Sequence, residues 1–214
     1  MKTLVINEIF HSIQGESTLA GRPCVFVRLT GCDLRCSWCD TEYAFYEGRK
    51  RPIDEIVEEV AAHDCELVEV TGGEPLLQPN VHELIAQLLQ RGKTVMIETG
   101  GHRDATLVDP RVRRILDVKT PSSGECGKTH EETFQTLRQG DEIKFVISDR
   151  TDFEWSVRWV EAHRLPPEIP LLFSPVHGKL DPADLAQWIL ESGSRARLQL
   201  QLHKILWPGV LRGV

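Results

Sequence analysis

No run in this 214-residue sequence is apolar and long enough to cross a bilayer as a helix, which sets aside an integral helical membrane protein. The opening Met1-Lys2-Thr3-Leu4-Val5 meets charged Glu8 without the apolar core of a signal peptide, so a cytoplasmic protein free of disulfides is expected. A basic excess is also missing. The 25 Lys plus Arg stand against 32 Asp plus Glu, a net charge of −7, which argues against general binding to a nucleic-acid backbone and leaves anionic ligands to be met by local cations. The sequence has no repeat, low-complexity tract or interdomain linker. Its length suits one well-formed core, so one domain over residues 1–214 is expected.

What the chain does have is a knot of thiols. Of its six cysteines, Cys24 and Cys65 lie in apolar strand-like runs and Cys126 has a bland context, whereas Cys32, Cys36 and Cys39 fall together in Gly31–Thr41. Three close thiolates without a fourth suit three irons of a 4Fe-4S cluster and leave one iron free to bind a ligand. Zinc prefers four ligands, often as two separated pairs, and Cys24 and Cys65 form no second Cys-x-x-Cys. A zinc site and three unrelated buried thiols are therefore the weaker readings. The Cys-x-x-x-Cys-x-x-Cys spacing, with Trp38 before the last cysteine, resembles the signature of the radical S-adenosylmethionine (SAM) enzymes. That resemblance implies a 4Fe-4S cluster whose open iron chelates SAM and whose electron generates a 5′-deoxyadenosyl radical.

The flanking pattern predicts strands over Cys24–Leu29, Leu67–Val70, Thr94–Ile97, Ile115–Val118, Ile143–Ile147, Pro170–Phe173 and Leu198–Leu202. Between them, helical spacing is clear from Ile53 to Ala61 and from Val81 to Leu89, and helices are expected at about Thr129–Leu137, Asp152–His163 and Pro182–Glu191. Residues 103–114 show no helical face. Strands alternating with helices argue for a parallel sheet, and the length is too short for a full eight-stranded barrel. The expected fold is α/β, an open partial (β/α) barrel of radical SAM type with about six core parallel strands and reduced helices. Ligands in such folds gather beyond the carboxyl ends of the strands, which is where the loops at 30–41, 71–75, 98–102, 119–124, 148–149 and 174–178 fall.

The run Phe10-His11-Ser12-Ile13-Gln14-Gly15-Glu16-Ser17, then Gly21-Arg22-Pro23 and Phe26–Leu29, resembles the opening of the 7-carboxy-7-deazaguanine synthases. The likeness continues at Cys39-Asp40-Thr41, Thr71–Pro75, Glu98-Thr99-Gly100 and Gln201–Lys204, so it touches nearly the whole length. It implies a pterin held by Ile13, Gln14, Gly15 and Glu16, by Thr71, and by Arg28, whose guanidinium would pair with the pterin carboxylate through parallel hydrogen bonds. It implies SAM contacts from Trp38, Cys39 and Asp40, from the turn Gly72-Gly73-Glu74, from Lys119-Thr120-Pro121 and from Ser174-Pro175-Val176-His177. Thr41 matches a Mg2+-binding position, where a hydroxyl suits a hard cation. Many relatives read Ser-Pro-Lys where this chain has Lys119-Thr120-Pro121, and this chain runs beyond Gly209, about where many relatives end.

The activity so implied is that of a carbon-nitrogen lyase converting 6-carboxy-5,6,7,8-tetrahydropterin to 7-carboxy-7-deazaguanine with loss of ammonia. That step belongs to queuosine biosynthesis, a tRNA-modification pathway. A flavodoxin or ferredoxin-like electron donor and a homodimer are implied alongside, with no direct nucleic-acid or membrane contact. The alternatives are a small radical SAM activase acting on a glycyl-radical enzyme and, from another class, a non-catalytic zinc or iron-sulfur binding module. No general acid or base is assigned by the sequence.

Overall fold

A computed structural model describes residues 2–214. Strand β1 (Thr3–Ile13) pairs antiparallel with β2 (Pro23–Leu29) and, on its other edge, with β3 (Arg49–Pro52). From β2 the sheet runs parallel through β4 (Leu67–Gly72), β5 (Thr94–Thr99), β6 (Arg113–Val118), β7 (Glu142–Ile147), β8 (Leu171–Pro175) and the short β9 (Arg197–Leu198). The order is β3-β1-β2-β4-β5-β6-β7-β8-β9, with β3 and β9 at the two edges, so the sheet is open. The six core strands expected from the sequence are β2 and β4 through β8. The antiparallel pair β1 and β3 was not foreseen.

Helices α1 (Ile53–Ala61), α2 (Val81–Gln90), α3 (Glu131–Gln135), α4 (Arg150–His163), α5 (Pro182–Ser192) and α6 (Leu202–Leu206) follow in chain order. Local chemistry sets their starts. Asp149 accepts from Asp152 N at the head of α4, and Asp181 accepts from Ala183 N beside Pro182 at the head of α5. Two expectations are corrected. The helix expected over Thr129–Leu137 shrinks to the single turn α3, and the strand expected over Leu198–Leu202 keeps only its first residue in β9 before the chain turns into α6.

Strand alternation divides the side chains between two faces. Val25, Val27, Leu29, Val68, Val70, Val95, Ile97, Leu116, Val118, Ile143, Phe145 and Phe173 point to the helix-covered face and form the main core with Ile56, Val60, Leu84 and Leu88 of α1 and α2. The opposite, concave face carries a small apolar plug of Cys24, Phe26, Leu67, Met96 and Ile115, with Phe10 and Leu19 against it. No helix fills the crossover from β5 to β6. Arg114 does part of that work: fully buried, it donates to Asp141, to Ala105 O and to Thr136 O.

Candidate active site

Beside and above the apolar plug, the concave face turns polar. Arg28, Glu69, Glu98, Asp117 and Lys144, one from each of β2, β4, β5, β6 and β7, line the floor of a cavity of about 450 Å³ at the carboxyl ends of the parallel strands. Phe26 is the register partner of Glu69, and Arg28 of Thr71, so the apolar-to-polar transition is built into the pairing of β2 with β4.

The thiols of Cys32, Cys36 and Cys39 all reach this cavity, each half-buried. Among the described residues no three His, Cys, Asp or Glu side chains converge on a single metal-ion position. A cubic cluster takes each thiolate on a different iron, so this donor set fits a cluster. The loop is held from below. Ser37 N and Ser37 Oγ donate to Ser123 O and Ser122 O, at 3.0 and 2.8 Å, and Ser123 Oγ in turn donates to Thr120 O. His102 Nε2 and Arg103 clasp Asp33, the former at 2.7 Å.

The turn Gly72-Gly73-Glu74 is pressed backbone to backbone against the cysteine loop. Glu74 N donates to Gly31 O at 2.8 Å, and a Cβ on Gly73 would come within 2.3 Å of Gly31 O and 2.8 Å of Cys32 Cβ. Gly72 adopts φ +148, and a Cβ there would strike Leu29 O at 2.3 Å. Glu74 itself is fully buried. Its carboxylate accepts from Leu76 N, Thr99 Oγ1 and Gly100 N at 2.8–2.9 Å, which ties the turn to β5 and the loop after it.

The opposite wall joins the two ends of the sequence. Leu202 N donates to Gly15 O at 3.0 Å, Gln201 Nε2 donates to Glu16 Oε1 at 2.9 Å, and Lys204 Nζ lies 3.1 Å from Asp40. Beyond α6, Arg212 pairs with Glu47 at 2.7 Å and sits 4.3 Å over the Tyr43 ring, while Gly213 N donates to Glu8 Oε2. Val210, Leu211 and Val214 thereby join the cavity lining.

Charges on the floor are tightly coupled. Lys144 Nζ pairs with Glu16 and lies 2.8 Å from Glu98 Oε1; those carboxylates and Asp117 hold its ammonium well above the ordinary lysine range, outweighing the opposing effect of burial. Lys119 pairs with Asp117 at 2.8 Å and is likewise raised. Burial and the neighbouring Glu98 and Glu16 push the Glu69 carboxyl up to about 8. Burial lowers the His203 imidazole.

Of the site residues expected from sequence, Ile13, Gln14, Gly15, Glu16, Arg28, Trp38, Cys39, Asp40, Thr41, Thr71, Gly72, Gly73, Glu74, Lys119, Ser174, Pro175, Val176 and His177 line the one cavity, together with Cys32 and Cys36. Thr120 and Pro121 do not. Thr120 is buried with its hydroxyl on Val146 O, and Pro121 opens the short 3-10 turn that carries the cysteine loop, so both brace the site from beneath. The loop at Ser148–Asp149 serves α4 instead. Gln14 also differs from expectation: its Nε2 donates to Glu69, its Oε1 accepts from Glu16 N, and its backbone is bonded to Arg22 O and Gly21 N. Sequence reasoning assigned no role to Glu69, Asp117, Lys144 or Tyr43. Glu69 carried a signal, a lone charge within β4, and Asp117 and Lys144 carried it within the apolar runs Ile115–Val118 and Ile143–Ile147.

An open parallel sheet with three such thiols on its carboxyl-end rim defines a radical SAM protein, and residues 26–122 match the Radical SAM superfamily model. The chain is 45% identical to the 7-carboxy-7-deazaguanine synthase of Chlorobaculum tepidum over 99% of this chain and 97% of that one. It is also 45% identical to the enzyme of that name from Koribacter versatilis, over 98% and 99%. It belongs to the 7-carboxy-7-deazaguanine synthase family. The fold is shared with QueE from Escherichia coli, whose crystal structure superposes with a TM-score of 0.78 at 20% identity, covering 93% of this chain and 94% of the other.

Proposed function

We propose that this chain catalyses its family's reaction, conversion of 6-carboxy-5,6,7,8-tetrahydropterin to 7-carboxy-7-deazaguanine with loss of ammonia, within one radical SAM domain spanning residues 1–214. The observation that carries the reading is the convergence, on one cavity of about 450 Å³, of the cysteine loop and the Gly15–Glu16 motif loop on facing walls. A cavity closed on one side by the chain's own tail suits a small heterocycle better than the polypeptide loop that a glycyl-radical activase must admit.

Cys32, Cys36 and Cys39 would hold the 4Fe-4S cluster. Trp38–Asp40, Gly72–Glu74, Lys119 and Ser174–His177 would flank SAM, with Thr41 beside them to take Mg2+ as one hydroxyl ligand among substrate oxygens and water. Cluster and SAM together supply the hydrogen-abstracting radical; the protein's part is positioning and exclusion of water. Arg28 is suited to the substrate carboxylate. Its Nε donates to Glu8 at 2.8 Å, Phe10 and Tyr43 pack on its planar faces, and its terminal nitrogens carry no hydrogen bond from the described residues.

Gln14 fixes the motif loop, Glu74 fixes the glycine turn, and Lys144 holds Glu16 and Glu98 at the floor. The remaining parts of the reading are a flavodoxin or ferredoxin-like donor, a homodimer and a cytoplasmic location. They draw on the family resemblance and the −7 charge, and no helix among the described residues is long and apolar enough to cross a membrane. The deciding experiment is anaerobic incubation of reduced protein with SAM, Mg2+ and carboxytetrahydropterin. Mass spectrometry should find 7-carboxy-7-deazaguanine and 5′-deoxyadenosine; SAM cleavage without the deazaguanine would refute the substrate assignment.

A further inference from the structure

The polar groups expected to read the heterocycle are largely consumed within the protein. Gln14 spends its side-chain amide on Glu69 and Glu16 N and its backbone on Arg22 and Gly21, Gly15 O is taken by Leu202 N, and Glu16 pairs with Lys144 and Gln201. Among the described residues of the floor, Asp117 also keeps Oδ1 without a partner but pairs through Oδ2 with Lys119, whereas Glu69 has no paired cation. Glu69 sits on β4 between Leu67 beneath and Thr71 above, and it is 4% exposed. Only one protein donor reaches it, Gln14 Nε2 on Oε2; Oε1 carries no hydrogen bond from the described residues. No Lys, Arg or His among those residues lies within ion-pairing distance of it, and the side chains of the neighbouring Phe26 and Met96 on β2 and β5 offer no donor. Yet Glu69 lines the cavity.

We propose that Glu69 is the specificity residue for the amino-substituted pyrimidine edge of the substrate, accepting a hydrogen bond from the exocyclic 2-amino group at the bottom of the cavity. The inference rests on the pterin reading of the site. A carboxyl held by the protein through one oxygen, with the other open to the cavity, keeps an acceptor free for a ligand donor. The fused ring system carries its carboxylate and its amino group at opposite ends. The floor offers complementary groups in the same order, with Arg28 one pleat, about 6.7 Å, above the level of Glu69. The raised proton affinity of Glu69 fits this role: burial favours the neutral carboxyl while the cavity is empty, and a bound amino group favours the carboxylate, whose free oxygen is the acceptor.

The test compares binding of 6-carboxypterin with that of 6-carboxylumazine, which bears an oxo group in place of the 2-amino group. Cluster-loaded protein with SAM and Mg2+ is titrated anaerobically by calorimetry. The unaltered protein should prefer the pterin by about 10- to 100-fold. In Glu69→Gln, the new amide oxygen accepts from Gln14 Nε2 and turns its NH2 to the cavity, so the preference should vanish or invert in favour of the lumazine. Equal weakening of both ligands in the variant, or an unchanged ratio, overturns the proposal. Absence of any preference in the unaltered protein overturns it without recourse to a variant. Failure of the unaltered protein to bind either ligand refutes the pterin reading itself and this inference with it.

Discussion

Gly15 and His203 are in contact across the cavity wall: a Cβ built on Gly15 would lie 2.6 Å from His203 Nδ1 and 3.3 Å from His203 N. A glycine near the start of the chain is thus the seat for a helix near its end. Gly15→Ala should unseat α6, lower kcat/KM for the pterin by about tenfold and cost about 1–3 kcal/mol in stability. Cluster content, read from bound iron and sulfide, should not change. Full activity in this variant would show that the wall tolerates displacement.

Arg28 divides its guanidinium between Glu8 and the cavity. Arg28→Ala should assemble a normal cluster and still cleave SAM, but raise KM for the pterin by at least about tenfold through loss of a bidentate carboxylate pair. Arg28→Lys should recover only part of that loss, because an ammonium cannot present two parallel N–H groups. Unaltered KM in the alanine variant would remove Arg28 from substrate binding.

Cys36→Ala leaves two of the three expected cluster ligands. The reconstituted variant should lose the brown absorbance and release no 5′-deoxyadenosine above background on reduction. A variant that retains SAM cleavage would place the cluster elsewhere.

Lys144 is enclosed by carboxylates from three elements: Glu16 after β1, Glu98 on β5 and Asp117 on β6. Lys144→Met removes the cation and strands buried negative charge, so denaturation at pH 7 should show a loss of about 3–5 kcal/mol. Part of the loss should return at pH 5, where the freed carboxylates take up protons. A loss independent of pH would assign Lys144 to packing alone.

Glu69 faces Glu98 on β5, Glu16 after β1 and Arg28 on β2, and burial with the two acids raises its carboxyl to about 8. Unfolding returns it to the ordinary glutamate range near 4.3. Between those values the folded protein holds the extra proton, so this group's stabilising contribution is present at low pH and fades as pH rises toward 8. Thermal midpoints of the cluster-loaded protein should fall by several degrees between pH 5.5 and pH 8, and Glu69→Gln should flatten that slope. An equal slope in the variant would trace the dependence to other groups.

The sequence exposed the outer architecture well, because β2 and β4 through β8 are apolar on the helix-covered face and α1, α2, α4 and α5 repeat at helical spacing. It hid β1, whose alternation is interrupted by a bulge between Ile6 and Glu8, and β3, whose Arg49-Lys50-Arg51-Pro52 has no apolar residue besides proline. The alternation Leu198-Gln199-Leu200-Gln201-Leu202 reads as a strand, yet contacts with Gly15 and Glu16 turn its second half into the cavity wall. That preference is tertiary and has no local signature. The floor was legible in kind but not in place. Glu69, Glu98, Asp117 and Lys144 resemble the solvent-facing positions of half-exposed strands, and only the curvature of the sheet makes that face an interior.

Phe26, Leu67, Met96 and Ile115 seal the narrow end of the concavity beneath these charges. That apolar backing keeps water away from the floor on one side, so the charges above it act on a ligand through a less polar medium than a surface site would provide.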